Sequence, residues 1–96
     1  PNPILMKNID IDRHSEIEIL YIAGNATSQN FTQIRKVNKD THQKYLIANI
    51  ERYNYLDSCN LNDTLLTLVL CDTSVYHLKV KDTITVNINN IQYQLK

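Results

Sequence analysis

The feature that most constrains this chain is a strict two-residue alternation over its last fourteen positions. Ile84, Val86 and Ile88 alternate with Thr83, Thr85 and Asn87; Asn89-Asn90 intervenes; then Ile91, Tyr93 and Leu95 alternate with Gln92, Gln94 and Lys96. Successive side chains of a strand point to opposite faces, so this period predicts strands, whereas a helix would scatter the six apolar residues around its circumference. Two alternating runs separated by two residues predict a β-hairpin, and Asn tolerates the positive φ that a type I′ turn requires. The expected register sets Ile88 opposite Ile91, Val86 opposite Tyr93 and Ile84 opposite Leu95. A slip of one residue would mix the apolar and polar faces.

The remainder reads as all-β. Strands are expected over Glu16–Ala23, over Phe31–Val37, over Lys44–Arg52 paired antiparallel to the previous one, over Thr64–Cys71 and over Val75–Val80, with Lys81-Asp82 turning into the terminal hairpin. Phe31–Val37 has no cleanly apolar face and carries Arg35 and Lys36, which suits an exposed or edge strand. Thr64–Cys71 is apolar on both parities, so it suits a strand buried on both faces, with a buried helix as the competing reading. A short amphipathic helix competes for residues 44–52. Residues 24–30 and 38–43 are polar loops, and residues 54–63 are a polar connection. Pro1 to Asn8, with Ile4, Leu5 and Met6 between and after two prolines, reads as an extended N-terminal arm frayed or pressed onto a neighbour. The expected architecture is a single β-rich domain over residues 9–96, a small antiparallel β-sandwich or barrel of about six or seven strands.

Composition narrows the function classes. Ninety-six residues hold one modest core. Ten Lys and Arg balance ten Asp and Glu, so no overall field attracts nucleic acid or an anionic membrane, and nucleic-acid binding is disfavoured. No apolar run approaches the roughly 20 residues of a spanning helix, and no leader peptide is visible. One glycine against twelve asparagines removes glycine-rich phosphate loops and leaves much of the turn chemistry to Asn.

Candidate sites are sparse. His14, His42, His77, Cys59 and Cys71 show no metal-ligand spacing, and Cys71 closes the most apolar run, where burial would suppress its reactivity. No catalytic set, metal or cofactor is assigned. Cys59 and Cys71 read as two free thiols, with one internal bridge as the alternative. Asp10, Asp12, Glu16 and Glu18 form the one dense acidic group, read as a solvated face. Arg35-Lys36-Val37-Asn38-Lys39 is the one basic cluster, near Phe31 and Tyr45, and an exposed edge strand accounts for it without a ligand. Asn25-Ala-Thr27, Asn30-Phe-Thr32 and Asn62-Asp-Thr64 match the glycosylation acceptor pattern. The residues expected to meet a partner are Ile4, Leu5, Met6, Arg35 and Lys36.

The segment from Leu78 to Leu95 resembles a hairpin of small β-barrel structural proteins of tailed bacteriophages, with Leu78, Val80, Asp82, Ile84, Val86 and Tyr93 in the matching places. Lys81 stands where that pattern has Gly, and Asn89-Asn90 replaces its Gly-containing turn. The resemblance implies a head-tail connector, tail or baseplate component that builds rings. A second resemblance, of Thr64 to Val86 to LysM-like domains of phage baseplates, implies a buried helix before the strand, and so an α+β chain with a LysM-like part at 64–88.

The expectation is thus a non-enzymatic structural or assembly protein, acting in a virion or the host cytoplasm. Its partners are other protein subunits, in a homo- or hetero-oligomer, with no membrane. The alternatives are a secreted or host-interacting immunoglobulin-like module, bridged and glycosylated, and a small intracellular inhibitor of a host enzyme that docks through residues 10–18.

Overall fold

A computed structural model describes residues 2–25, 29–73 and 80–96. Among these residues there are eight strands and no helix: β1 Ile4–Asp10, β2 Ser15–Ile22, β3 Phe31–Asn38, β4 Lys44–Glu51, β5 Tyr55–Asn62, β6 Leu65–Asp72, β7 Val80–Asn87 and β8 Tyr93–Leu95. All pairings are antiparallel. They form a five-stranded sheet in the order β1-β2-β3-β4-β8 and a three-stranded sheet in the order β5-β6-β7. The all-β antiparallel expectation holds, as a sandwich and not a closed barrel. The shortest dimension, 19 Å, fits two layers about 10 Å apart plus their outward side chains.

Alternation builds the core. Ile17 and Ile19 on β2 project to the same face as Ile34, which pairs with Ile19 on β3. Leu66, Leu68 and Leu70 project from β6 on the opposing sheet. All six are 0 % exposed, and Ile47, Tyr53 and Ile88 complete the cluster. Each such burial contributes about 1.5–3 kcal/mol relative to exposure. The reading of residues 64–71 as strand is therefore right and the helix reading is wrong, which also removes the helix that a LysM-like part requires. β6 is central, between β5 and β7, yet its first half is one-sided: Leu65 is 49 % exposed while Leu66 is fully buried.

The terminal hairpin does not form. β7 pairs with β6, Leu66 opposite Val86 and Leu68 opposite Ile84. β8 pairs instead with β4 in the other sheet, Lys44 opposite Leu95 and Leu46 opposite Tyr93. Asn89-Asn90 does turn the chain, but neither residue has positive φ, so the type I′ geometry that would fold the strands back is absent. The turn is built one residue earlier. Asn90 N–H donates to Asn87 O at 3.0 Å and Asn89 N–H to the Asn87 side chain at 2.9 Å. Ile88 is thereby sunk into the core, its N–H bonded to Thr64 O, and Gln92 N–H bonds Leu46 O where the chain joins the five-stranded sheet beside β4. Ile91 and Tyr93 are left 43 % and 55 % exposed. The two-residue loop belongs to β5–β6, where Asn62 pairs with Leu65 and Asp63 takes φ 58°.

Four further expectations change. Residues 4–10 are not an arm: they form edge strand β1, paired with β2 and carrying a bulge at Met6. β3 is central, not an edge. Its polar side chains are accommodated because Gln33, Arg35 and Asn49 bond to one another on the outer face. The supposed polar connection at 54–63 is strand β5, which alternates Leu56, Cys59 and Leu61 against the core around a bulge at Asp57. Lys81-Asp82 lies inside β7 and does not turn. The strand expected over 75–80 falls almost wholly outside the described residues. The strands expected at 16–23 and 44–52 are present, the latter paired with β3 as foreseen.

Candidate functional site

The five-stranded sheet ends in two open edges. Among the described residues β1 pairs only with β2, and β8 only with β4. On β1 the exposed apolar residues are Ile4, 59 %, and Leu5, 51 %, while Met6 bulges inward against the core. The bulge and Lys7 interrupt the edge, a usual device against indiscriminate pairing, so its flat apolar part is Ile4-Leu5. At the other edge Ile91 and Tyr93 are the exposed apolar pair. β8 covers only Lys44–Leu46 of β4, and beyond it the Gln92 side chain donates to Ile47 O at 2.9 Å.

The basic cluster is dispersed by strand parity. Arg35 points to the outer face, opposite Glu18 and Leu46. Lys36 points to the other face, where its ammonium donates to Asn89 Oδ1 at 3.2 Å. Lys39 lies in the β3–β4 loop and pairs with Asp10 at 2.7 Å, which raises its pKa. The five residues thus make no basic patch. A different basic group assembles from separate elements: Arg35 on β3, His42 in the loop, Lys44 on β4 and Lys96 after β8 line a cavity of about 520 Å³.

The acidic stretch is absorbed internally. Asp12 Oδ1 accepts from His14 N–H at 2.8 Å, Ser15 N–H at 2.9 Å and the Ser15 hydroxyl at 3.1 Å, and these bonds lower its pKa. Glu16 accepts from Asn8 and Glu18 pairs with Lys44. His14 Nδ1 lies 2.8 Å from Asp40 Oδ2 while Arg13 donates to Nε2, an arrangement that places the proton of a neutral ring on Nδ1.

The crossover from β4 to β5 carries the most heavily engaged side chains of the described chain. Arg52 takes φ 94°, and its guanidinium lies 3.2 Å from Asp72, which is 4 % exposed. Tyr53 packs in the core and donates its hydroxyl to Asp82 on β7; that bond, then burial, raises the phenol pKa. The Asn30 side chain donates to Arg52 O and Tyr53 O, both at 3.2 Å, and Asn54 holds Thr73. Two carboxylates, an arginine and a tyrosine could suggest chemistry. Their bonds run between the layers, however, and the group joins the sheets like a latch. Spacing in the sequence gives no sign of it, since Tyr53, Asp72 and Asp82 come from three elements.

Cys59 and Cys71 are free thiols on opposite faces of their sheet. Cys59 is opposite Leu68, three residues from Cys71 on the same strand, or about 10 Å along it, too far for a bridge. Of the acceptor sites, Asn30 has its amide committed and Thr32 is fully buried. Among the described residues no three His, Cys, Asp or Glu side chains group to hold a metal ion, and no helix is long and apolar enough to cross a membrane. Comparison of the chain with family models, curated proteins and solved structures finds no match.

Proposed function

We propose that this chain is a non-enzymatic assembly subunit that packs edge to edge against further copies of itself. One observation carries the reading: of the six exposed large apolar side chains among the described residues, four, Ile4, Leu5, Ile91 and Tyr93, sit at the two opposite edges of one sheet. Apolar edge strands with unpaired backbone groups are templates for pairing. Because the two edges differ, joining β1 of one copy to the β8 side of the next is a head-to-tail contact, which closes into a ring if the rotation allows. A net charge of zero puts no long-range repulsion between copies.

The setting we propose is a bacteriophage particle, as a connector, tail or baseplate component. That part rests on the sequence resemblance alone, and the hairpin on which it was drawn is not formed. The alternatives have less to draw on. The bridge of a secreted module is out of register, and the acidic stretch of an inhibitor is spent on internal partners.

Solution mass over a concentration series tests the reading, with Leu5→Lys as the variant. The wild type should show a defined oligomer that Leu5→Lys weakens while its circular dichroism is unchanged. A wild type that stays monomeric at every concentration, or a variant that assembles equally well, refutes it.

A further inference from the structure

We propose that the cavity between the β3–β4 loop and β8 is an oxyanion site that takes a phosphate group, free or carried by a small molecule. Its volume is about 520 Å³, and its lining holds Arg35, His42, Lys44 and Lys96 but no carboxylate side chain. Arg35 makes no ion pair with a carboxylate among the described residues. Lys44 shares its charge with Glu18 at 3.3 Å, so the Arg35 guanidinium is the charge of the wall that no carboxylate side chain answers.

The guanidinium is oriented from behind. Its Nε donates to Gln33 Oε1 at 2.5 Å; Gln33 is buried, 6 % exposed, and its own amide donates to Asn49 Oδ1 at 2.9 Å. With Nε committed, the Nη groups remain as the fork that matches two oxygens of one oxyanion. A side chain already fixed loses less freedom when a ligand binds.

Gln43 is oriented in the same sense. Its Oε1 accepts from the Tyr45 hydroxyl at 2.9 Å, which leaves its NH₂ group as the free donor. Thr41 and Gln94 add a hydroxyl and an amide to the wall. An arginine fork, an ammonium and neutral donors set around one cavity suit the several oxygens of a tetrahedral oxyanion better than the two of a planar carboxylate.

The test is a titration of the protein with inorganic phosphate, followed by amide chemical shifts, with chloride at matched ionic strength as the blank. Saturable shifts at Arg35, Lys44 and Gln94 at millimolar phosphate or below are expected. Arg35→Gln should weaken binding about tenfold or more, the cost of a charge-assisted bond. Lys36→Gln makes the same charge change on the other face and should leave binding unaltered. If Arg35→Gln does not fold, Lys44→Gln is read in its place. The absence of saturation, equal losses in the Arg35 and Lys36 variants, or acetate binding as tightly as phosphate overturns the proposal.

Discussion

Replacing Tyr53 by Phe isolates the contact that ties the crossover to β7. The ring is in the core, 8 % exposed, and stays there in the variant, so no cavity forms and only the hydroxyl bond to Asp82 is lost. A hydrogen bond to a charged group contributes about 1.5–3 kcal/mol. Asp82 is exposed and regains water when the phenol is gone, which puts the expected loss at the low end, about 1.5 kcal/mol. For a domain of this size each kcal/mol lowers Tm by about 4–8 °C. The same bond predicts a pH signature. Tyr53 has its pKa raised above the ordinary 10.0, so its contribution is complete below that value and is lost as pH rises through the higher folded-state pKa. Urea unfolding at neutral and at strongly alkaline pH should therefore show wild type and Tyr53→Phe converging as pH rises. Both keep a residual alkaline loss, because Lys39 and Lys81 also have raised pKa values through Asp10 and Asp57. Equal stability of the two proteins at neutral pH, or a constant gap at all pH values, would refute the latch.

Thr32 is fully buried with no hydrogen-bond partner for its hydroxyl among the described residues, so Thr32→Val should stabilise the protein by about 1 kcal/mol in chemical denaturation. Asp63 holds φ 58° in the β5–β6 turn, where glycine costs nothing sterically; Asp63→Gly should raise stability by about 0.5–1 kcal/mol. Arg52→Ala removes the half-exposed guanidinium beside buried Asp72 and should cost about 1.5 kcal/mol, read from the same unfolding curves. Under mild oxidation thiol titration should still count both Cys59 and Cys71 as reduced within each monomer, since their register keeps them apart.

Alternation identified most strands, because one-sided burial is a property of the local sequence: Ile17 with Ile19, and Leu66 with Leu68 and Leu70, face the core as their spacing requires. Alternation is silent on which strand a neighbour will be. Val86 and Tyr93 have the spacing of a hairpin pair, yet Ile88 gains more by entering the core than it would on a hairpin face, and the turn at Asn87 sends β8 to the other layer. β3 and β5 were obscured for a different reason. Their polar residues are matched by partners distant in sequence, Gln33 by Asn49 and Asp57 by Lys81. Of the candidate residues, Ile4 and Leu5 are exposed while Met6 packs against the core, Arg35 and Lys36 face opposite sides, and the basic cavity draws on three elements that no local pattern could associate.

Edge pairing between copies is tested most directly by hydrogen exchange of the backbone amides of β1 and β8 at low and high protein concentration. Assembly through the edges predicts that protection at Ile4–Leu5 and Tyr93–Leu95 rises with concentration while the amides of central strands β2 and β3 stay as they were. Edge amides that exchange at one rate throughout, under conditions where the mass shows an oligomer, would contradict it.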